Sequence, residues 1–462
     1  MITASAHDTD WAEANKRCLM AELDLVRRAL EHHAGGGPAS DGASERDCQG
    51  AGSLFAEAEA VLPAPSALSH LCRAFALSRF ERSVLLLAAG VELDASFAGA
   101  CARAQGGGQR PFPTFGLALA ALPEPHWDAL APSAPLRRWR MLEPAAGENL
   151  VDARLRIDER ILHHLTGISY LDERLQGLIQ PLGTAAGLVP SQEACAERTA
   201  AILQRHHEKH RLPVINLCGL DPNDLRGVAA RACSRLGLRA FLLEAAGIPG
   251  SQTERDVFAR LWEREAILSQ AGLILAADEG QACRDFLDLL GGVLLVASRD
   301  PLGSSSRLVV RLDVAGPSVA EQRELWQAAL PKGPEALNGT LDRVVAHFRL
   351  NSRAIQSACA QLEEASAAGS SDSLARRLWT ACRVQARQRL DELAQRLEPA
   401  ARWEDIVLPD RHLHTLREIA AQVRHRTTVY HTWGFARKCP RGLGITALFA
   451  GPSGTGKTMA AE

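Results

Sequence analysis

The chain has 462 residues, which is too long for one hydrophobic core and predicts about two to four domains. Apolar residues make up 46% of the chain and charged residues 23%, the ordinary composition of a soluble globular protein. The formal net charge of −2 gives no basic footprint, which argues against nucleic acid as a main partner.

The sequence also lacks the usual signals of a metal site, a disulfide framework or a membrane segment. Its 11 cysteines are scattered without a C-x-x-C pair, which predicts free thiols in a reducing compartment. The N-terminus does not have the pattern of a signal peptide. The longest apolar stretches, such as residues 84–91, are far shorter than the roughly 20 residues that span a bilayer. We therefore expect a cytoplasmic protein without a membrane segment.

The first 185 residues predict a helix, a linker and a mainly helical domain. Apolar residues at helical spacing predict a helix over residues 11–33, and a Gly/Ser-rich linker follows, so residues 1–52 form one segment. Residues 53–185 alternate short helical segments with proline and glycine breaks. Short strands are predicted at 136–142 and 153–157, which makes this domain compatible with a winged helix.

Residues 190–317 predict an α/β module, because short apolar runs alternate with helical segments. Such alternation indicates a parallel sheet with helices on both faces. Residues 318–398 are predicted to be helical and to end in one long arginine-rich helix. The strands are predicted at 213–218, 239–244, 273–277, 293–297 and 307–314. One helix is predicted from the residues after Gly219 through 236, and another at 256–271.

Residues 399–462 contain the strongest motif, a G-x-x-x-x-G-K-[ST] pattern that follows a helix at about 411–425 and an apolar strand predicted at 445–450. Glycines let the loop backbone aim its N–H groups at a phosphate, Lys457 neutralises phosphate oxygens, and the Thr458 hydroxyl is a ligand for Mg²⁺. ATP and Mg²⁺ are the predicted cofactors. The predicted nucleotide-binding residues are Gly451, Pro452, Ser453, Gly454, Thr455, Gly456, Lys457, Thr458 and Met459.

The surroundings of this motif resemble the start of an AAA+ ATPase module. Residues 449–462 carry the resemblance, together with the entry segment 403–406 and the loop at 433–444. The resemblance implies that residues 405–407 lie near the adenine. For Trp403 and Trp433, plain packing is the alternative. Because a P-loop domain needs strands beyond the motif, we expect the chain to stop inside this domain and to show no appreciable turnover by itself.

A second, eroded module is indicated upstream. A strand at 214–218 leads into Gly219, but the template's second glycine, lysine and hydroxyl residue are replaced by Asp224, Leu225 and Arg226. A carboxylate without the lysine would repel a triphosphate, so we do not expect this site to bind ATP in the usual way.

Other parts of the eroded module keep the order of the family. Residues 273–279 have the form of a Walker B strand ending in Asp278 and Glu279, and Ser298 matches a polar sensor position. Residues 317–326 and 341–357 resemble the helical lid. An unrelated α/β domain is the competing interpretation.

The whole layout resembles bacterial tandem AAA+ proteins, including ones associated with contractile injection systems. The resemblance implies an ATPase subunit that assembles as a ring, a hexamer, and couples ATP hydrolysis to remodelling of an unidentified protein client. Two other classes stay open. One is a DNA-directed AAA+ protein of the initiator or helicase-loader type, and the other is a non-catalytic scaffold.

Two groups of polar residues are better interpreted as solvated helix surfaces than as sites. The histidines at 206–210 and 163–164 offer no complete set of metal ligands. The arginines of residues 376–396 are diluted by acidic neighbours, which favours a solvated connecting helix over a nucleic-acid contact.

Overall fold

A computed structural model describes most of the chain. The described residues are 6–35, 64–108, 110–147, 149–183, 187–206, 211–277, 281–303, 306–330, 340–367, 374–387, 401–435 and 444–461. They divide into two compact units, of which the first contains Met1–Ala185 with Ala196–Asp313, and the second contains Ala186–Cys195 with Val314–Glu462.

The first unit begins with a helical region that includes a small hairpin. Helix α1 (Ala6–Ala34) confirms the predicted N-terminal helix, and its apolar face joins the same core as the helices that follow. Ser78 starts the helix Arg79–Leu93 with a capping box, in which its side chain and that of Glu81 each accept a backbone N–H. The other helices are α2 (Ala67–Ala74), α3 (Arg79–Leu93), α4 (Ser96–Ala104), α5 (Phe115–Ala121), α6 (Pro135–Arg138) and α7 (Glu159–Leu165).

The hairpin corrects one predicted strand and confirms another. β1 (Leu142–Pro144) pairs antiparallel with β2 (Leu155–Ile157), which confirms the strand predicted at 153–157. The strand predicted at 136–142 is wrong for most of its length, because α6 occupies residues 136–138 and a turn follows at 139–140. Pro135 presets the backbone for a first helical turn, and Arg140, with φ of 51°, then turns the chain into β1.

A six-stranded sheet follows. Its strands are β3 (Ile179–Leu182), β4 (Val214–Cys218), β5 (Arg239–Glu244), β6 (Ala271–Ala276), β7 (Leu294–Ser298) and β8 (Val309–Asp313). Their order in the sheet is β3-β5-β6-β7-β4-β8. All neighbours are parallel except β3, an edge strand that runs antiparallel to β5 and was not predicted. The five predicted strands are confirmed.

Helices cover both faces of this sheet, as predicted. Leu273 and Leu275 share a core with the helices α10 (Gln252–Leu268) and α11 (Gln281–Leu289). Side chains alternate along a strand, so Gly272 belongs to the opposite face. A Cβ on Gly272 would lie 3.0 Å from the Cys233 sulfur of α9 (Pro222–Arg235), which places α9 on that face.

Buried ion pairs join the helical region to the α/β module. The Arg160 Nε of α7 donates to a Glu265 oxygen of α10 at 2.9 Å, and its Nη2 donates to the other oxygen at 3.0 Å. The neighbouring Arg264 pairs with Asp172 and also donates to the Arg140 carbonyl at 2.9 Å. Arg264 and Glu265 are both fully buried. These charges fix the two parts of the first unit in one arrangement.

The second unit contains a helical domain with its own core around Trp326, Val344 and Leu378. Ser318 opens its first helix with another capping box. These helices confirm the predicted helical character of residues 319–329, 340–347, 352–365 and 374–387, while residues 331–339 and 388–397 lie outside the described part. The helices are α12 (Val319–Ala329), α13 (Thr340–His347), α14 (Ser352–Ala367) and α15 (Leu374–Arg387). A further helix, α8 (Pro190–Arg205), precedes the sheet strand β4.

The end of the chain differs from its prediction at one element. Helix α16 (Asp410–Thr427) confirms the helix predicted at 411–425, and α17 (Lys457–Ala461) confirms the helix after the motif. The strand predicted at 445–450 is wrong, since these residues form no strand and Leu448 is 92% exposed. An apolar run becomes a strand only where a neighbour accepts its backbone hydrogen bonds, and no described strand lies beside it.

The remaining predictions concern the thiols, the histidines and the membrane. All nine described cysteines are free, and all but Cys72 are buried. In the described ranges, no group of acidic, histidine or cysteine side chains could hold a metal ion. His206 instead bonds the Ile202 carbonyl at 2.8 Å, whereas residues 207–210 lie outside the description. Within the same ranges, no helix has the length and apolarity needed to cross a bilayer.

Candidate functional site

The backbone of the predicted P-loop needs glycine at specific positions. Gly454 and Gly456 have φ values of +80° and +76°, a region that L residues enter at a cost of roughly 1–2 kcal/mol. At Gly451, a Cβ would lie 3.0 Å from the Thr455 hydroxyl. The three glycines therefore allow a tight six-residue loop, 451–456, that leads directly into α17.

Two side chains of the motif point back to the loop itself. The Thr455 hydroxyl donates to the Pro452 carbonyl at 2.8 Å, and the Lys457 ammonium donates to the same oxygen. An ammonium that reaches a loop oxygen from the first turn of α17 also lies within reach of an anion seated on the loop. This position fits the duty that the motif assigns to Lys457.

The N–H groups of the loop are open to a ligand. From Ser453 to Met459, no backbone N–H donates a hydrogen bond to another residue that the structure describes. The first bond of the helix runs from the Ala460 N–H to the Gly456 carbonyl at 2.9 Å. Adjacent unpaired N–H groups at the start of a helix form an anion site, because they combine hydrogen-bond donors with a partial positive charge. The residues present therefore fit a phosphate.

The other predicted contacts around the nucleotide are not assembled into a pocket. Thr458 and Met459 are exposed on α17, and Val407 is 92% exposed. Trp403 and Trp433 are 51% and 66% exposed, so neither side chain packs into a core of the described residues. The adenine contact of residues 405–407 stays a prediction.

The corresponding part of the first α/β module has a different construction. Only Gly219, Leu220 and Asp221 separate β4 from α9, compared with six residues before α17. The Asp221 carboxylate accepts the Asn223 N–H at 2.8 Å and caps α9. A carboxylate thus occupies the end of the helix at which a phosphate would have to bind.

The residues that replace the motif in this module serve packing and ion pairing. Leu225, at the lysine position, is 2% exposed and lies inside α9. Arg226, at the hydroxyl position, pairs with Glu244 at 2.8 Å. Asp278 and Glu279 of the Walker B pattern lie outside the described residues.

A buried polar network at the strand ends was missed by the sequence interpretation. Asn216, in the middle of β4, donates to the Ser298 hydroxyl at 2.8 Å, and its own oxygen accepts the Leu302 N–H at 2.9 Å. Ser298 then donates to the Asp300 carbonyl at 2.7 Å. The predicted sensor position is therefore used to hold the loop after β7. An asparagine inside an apolar strand is the signal that could have revealed the network, because a buried amide needs partners.

Fold and motif follow one order along the chain. A helical, winged-helix-like N-terminal region comes first, then a mostly parallel α/β sheet and a helical domain. A P-loop motif lies further along the chain.

Comparisons with known proteins agree with this order of parts. Residues 53–179 match the family model "Winged helix domain, variant", and residues 318–388 match "Contractile injection system ATPase helical domain". Together with the α/β module, these matches support an AAA+ ATPase in general. A search of curated proteins finds no match to the chain.

Solved structures of AAA domains are similar at a low level. The FIGL-1 AAA domain in complex with ADP is 14% identical with a TM-score of 0.34, and the match covers 55% of this chain and 98% of that one. A second FIGL-1 AAA domain structure is 13% identical with a TM-score of 0.33, covering 47% and 90%. These values are too low to carry the ligand over to this chain.

Proposed function

We propose that this chain is part of an AAA+ ATPase subunit that binds Mg-ATP at residues 451–459 and couples its hydrolysis to remodelling of a protein client. The proposal rests on the loop that precedes α17, with its positive-φ glycines, its unpaired N–H groups and the ammonium of Lys457. The matched helical domain of contractile injection system ATPases supports the same class.

Each motif residue has a specific duty in this proposal. The N–H groups from Gly454 to Thr458 bind phosphate oxygens, and Lys457 exchanges the Pro452 carbonyl for a phosphate oxygen. The Thr458 hydroxyl is the Mg²⁺ ligand. Bound Mg²⁺ neutralises charge on the transferred phosphoryl group.

In the same proposal, the first α/β module has lost its own catalysis and is retained for its structure. Its three-residue loop is too short to surround a phosphate, and the carboxylate of Asp221 already caps the helix. The buried pairs of Arg160 and Arg264 give it a structural duty, since they hold the winged-helix-like region.

The test is Mg-ATP hydrolysis by the intact gene product. Lys457→Ala removes the ammonium and is expected to abolish turnover, because nothing else described in the loop carries a positive charge. Lys16→Ala, an exposed lysine on α1, is the matched control and is expected to keep the full rate. Undiminished turnover in Lys457→Ala contradicts the proposal.

The winged-helix match is the one observation that favours the DNA-directed alternative. Its charge argues the other way, since residues 53–179 contain 12 arginines and 14 aspartates and glutamates, without a lysine. Binding to phosphates releases counterions and so weakens steeply with salt. Salt-dependent binding of duplex DNA by the chain would support this alternative, and its absence would leave the protein-directed function.

A further inference from the structure

The Thr455 side chain crosses the P-loop and bonds to the loop itself. Its hydroxyl donates to the Pro452 carbonyl at 2.8 Å. A Cβ on Gly451 would lie 3.0 Å from the same hydroxyl oxygen, so this oxygen lies against the backbone at the start of the loop. The hydroxyls of Ser453 and Thr458 form no hydrogen bond with another residue in the described part of the chain. Thr455 is therefore the hydroxyl residue that links the two sides of the loop.

This link matters because the loop is rich in glycine. Gly454 and Gly456 lie on either side of Thr455 and have φ values of +80° and +76°. Glycine has more backbone freedom than other residues, and the loop must lose that freedom when its N–H groups gather around one phosphate. A contact that holds the loop before the ligand arrives reduces this loss and so raises the affinity. The bond from Thr455 to Pro452 is such a contact, since it spans Gly454.

The Pro452 carbonyl accepts a second donor, the Lys457 ammonium. A carbonyl oxygen has two lone pairs, so it can accept both donors at once. In the proposed function, Lys457 exchanges this oxygen for a phosphate oxygen, whereas the Thr455 hydroxyl stays bonded to it. The carbonyl therefore keeps a partner when the ammonium moves, and the two donors have different roles.

We propose that the Thr455 side chain is a positioning group of the nucleotide site, which acts through the Pro452 carbonyl and contacts neither the phosphates nor Mg²⁺. The inference rests on the proposed function, and it separates one side chain of residues 451–459 from those that touch the ligand. A P-loop backbone holds phosphates that ATP and ADP share. A loop held in place should therefore favour both nucleotides by the same factor, with or without Mg²⁺.

The experiment is titration calorimetry of the full chain with ATP and with ADP, each in Mg²⁺ and in EDTA. Thr455→Val replaces the hydroxyl by a methyl group of similar size. It is expected to weaken binding by about threefold to tenfold under every condition, the range that corresponds to one intramolecular hydrogen bond. Thr455→Ser keeps the donor and is expected to bind within about twofold of wild type.

Thr415→Val is the matched control, because the Thr415 hydroxyl on α16 also donates to a backbone carbonyl, that of Arg411, at 3.0 Å. This variant is expected to bind both nucleotides like wild type. Thr458→Val is the comparison for a metal ligand and is expected to lose more affinity in Mg²⁺ than in EDTA. Thermal unfolding at the wild-type temperature establishes that each variant is folded.

Three results would overturn the inference. The first is wild-type affinity in Thr455→Val. The second is a Thr455→Ser variant as weak as Thr455→Val, which would assign the effect to the shape of the side chain. The third is a loss that occurs in Mg²⁺ alone, which would make the hydroxyl a metal ligand.

Failure of the proposed function gives a different result, which is unchanged nucleotide binding in Lys457→Ala. Wild-type affinity in Thr455→Val together with weakened binding in Lys457→Ala contradicts only the positioning role of Thr455.

Discussion

Two loops in this chain lead into a helix and have opposite chemistry. The connection after residue 450 spans six residues and leaves its N–H groups unpaired, with Lys457 at the helix start. The connection after β4 spans three residues and ends in Asp221, whose carboxylate accepts the Asn223 N–H and caps α9. A phosphate site is therefore lost when the loop is too short and a carboxylate caps the helix, as well as when the lysine is lost.

We expect the two connections to have separate roles, one in fold stability and one in nucleotide binding, and mutations can test this. Changes in the first module should alter the stability of the fold and leave nucleotide binding unchanged. Changes in the second connection should alter nucleotide binding and leave stability unchanged, because its side chains are exposed.

The largest effect is expected at the buried pair of Arg160 and Glu265. Glu265→Ala leaves an unpaired buried charge and should lower the free energy of unfolding by about 3–5 kcal/mol, as measured by urea denaturation. Replacing both partners, by Arg160→Met with Glu265→Leu, should lower the free energy of unfolding by less than Glu265→Ala alone does. Glu92→Ala, at an exposed position on α3, is the control and should change the stability by less than about 0.5 kcal/mol.

An equal loss in the single and double variants would mean that the pair is not a coupled unit. Any loss of ATP affinity in folded Glu265→Ala would contradict the claim that changes in the first module leave nucleotide binding unchanged.

A smaller effect is expected at Asp221. Asp221→Ala removes the cap of α9 and should destabilise the protein by about 1 kcal/mol, while Asp221→Asn keeps an acceptor oxygen and should stay close to wild type. If Asp221→Ala instead created a nucleotide site in the first module, capping alone would account for the difference between the two connections.

The smallest effect is a dependence of stability on pH in the acid range. Burial raises the pKa of Asp172, but hydrogen bonds from Arg174 and the charge of Arg264 outweigh it and hold this pKa at about 2, below the ordinary 3.8. The unfolded chain therefore binds the proton first. The stabilisation is present above about pH 4 and is lost as the pH falls toward 2. Acid titration of wild type and Asp172→Asn checks this, since the variant should lack that part of the slope.

Local sequence patterns predicted much of the fold. Apolar runs with turn residues located β4 and β5 almost to the residue, because these strands are buried on both faces. The same reasoning failed at 445–450, where an apolar run finds no neighbouring strand in the described chain. A strand depends on partners that a local pattern does not contain.

The candidate site shows the same limit. The motif identified Gly454, Gly456 and Lys457, since each has a local backbone or charge duty. The pairing of Arg160 with Glu265 could not be predicted, because 105 residues separate them along the chain. The short loop at Asp221 was predictable in principle, as an aspartate before a proline is a common start of a helix.

The stoichiometry of nucleotide binding tests the central claim most directly. Titration calorimetry of the chain with Mg-ATP should find one site per chain, and Lys457→Ala should weaken it by about 100-fold, the worth of a charge-assisted contact with phosphate. Arg226→Ala, at the corresponding region of the first module, should leave the affinity unchanged. Two sites per chain, or an unchanged affinity in Lys457→Ala, would contradict the account.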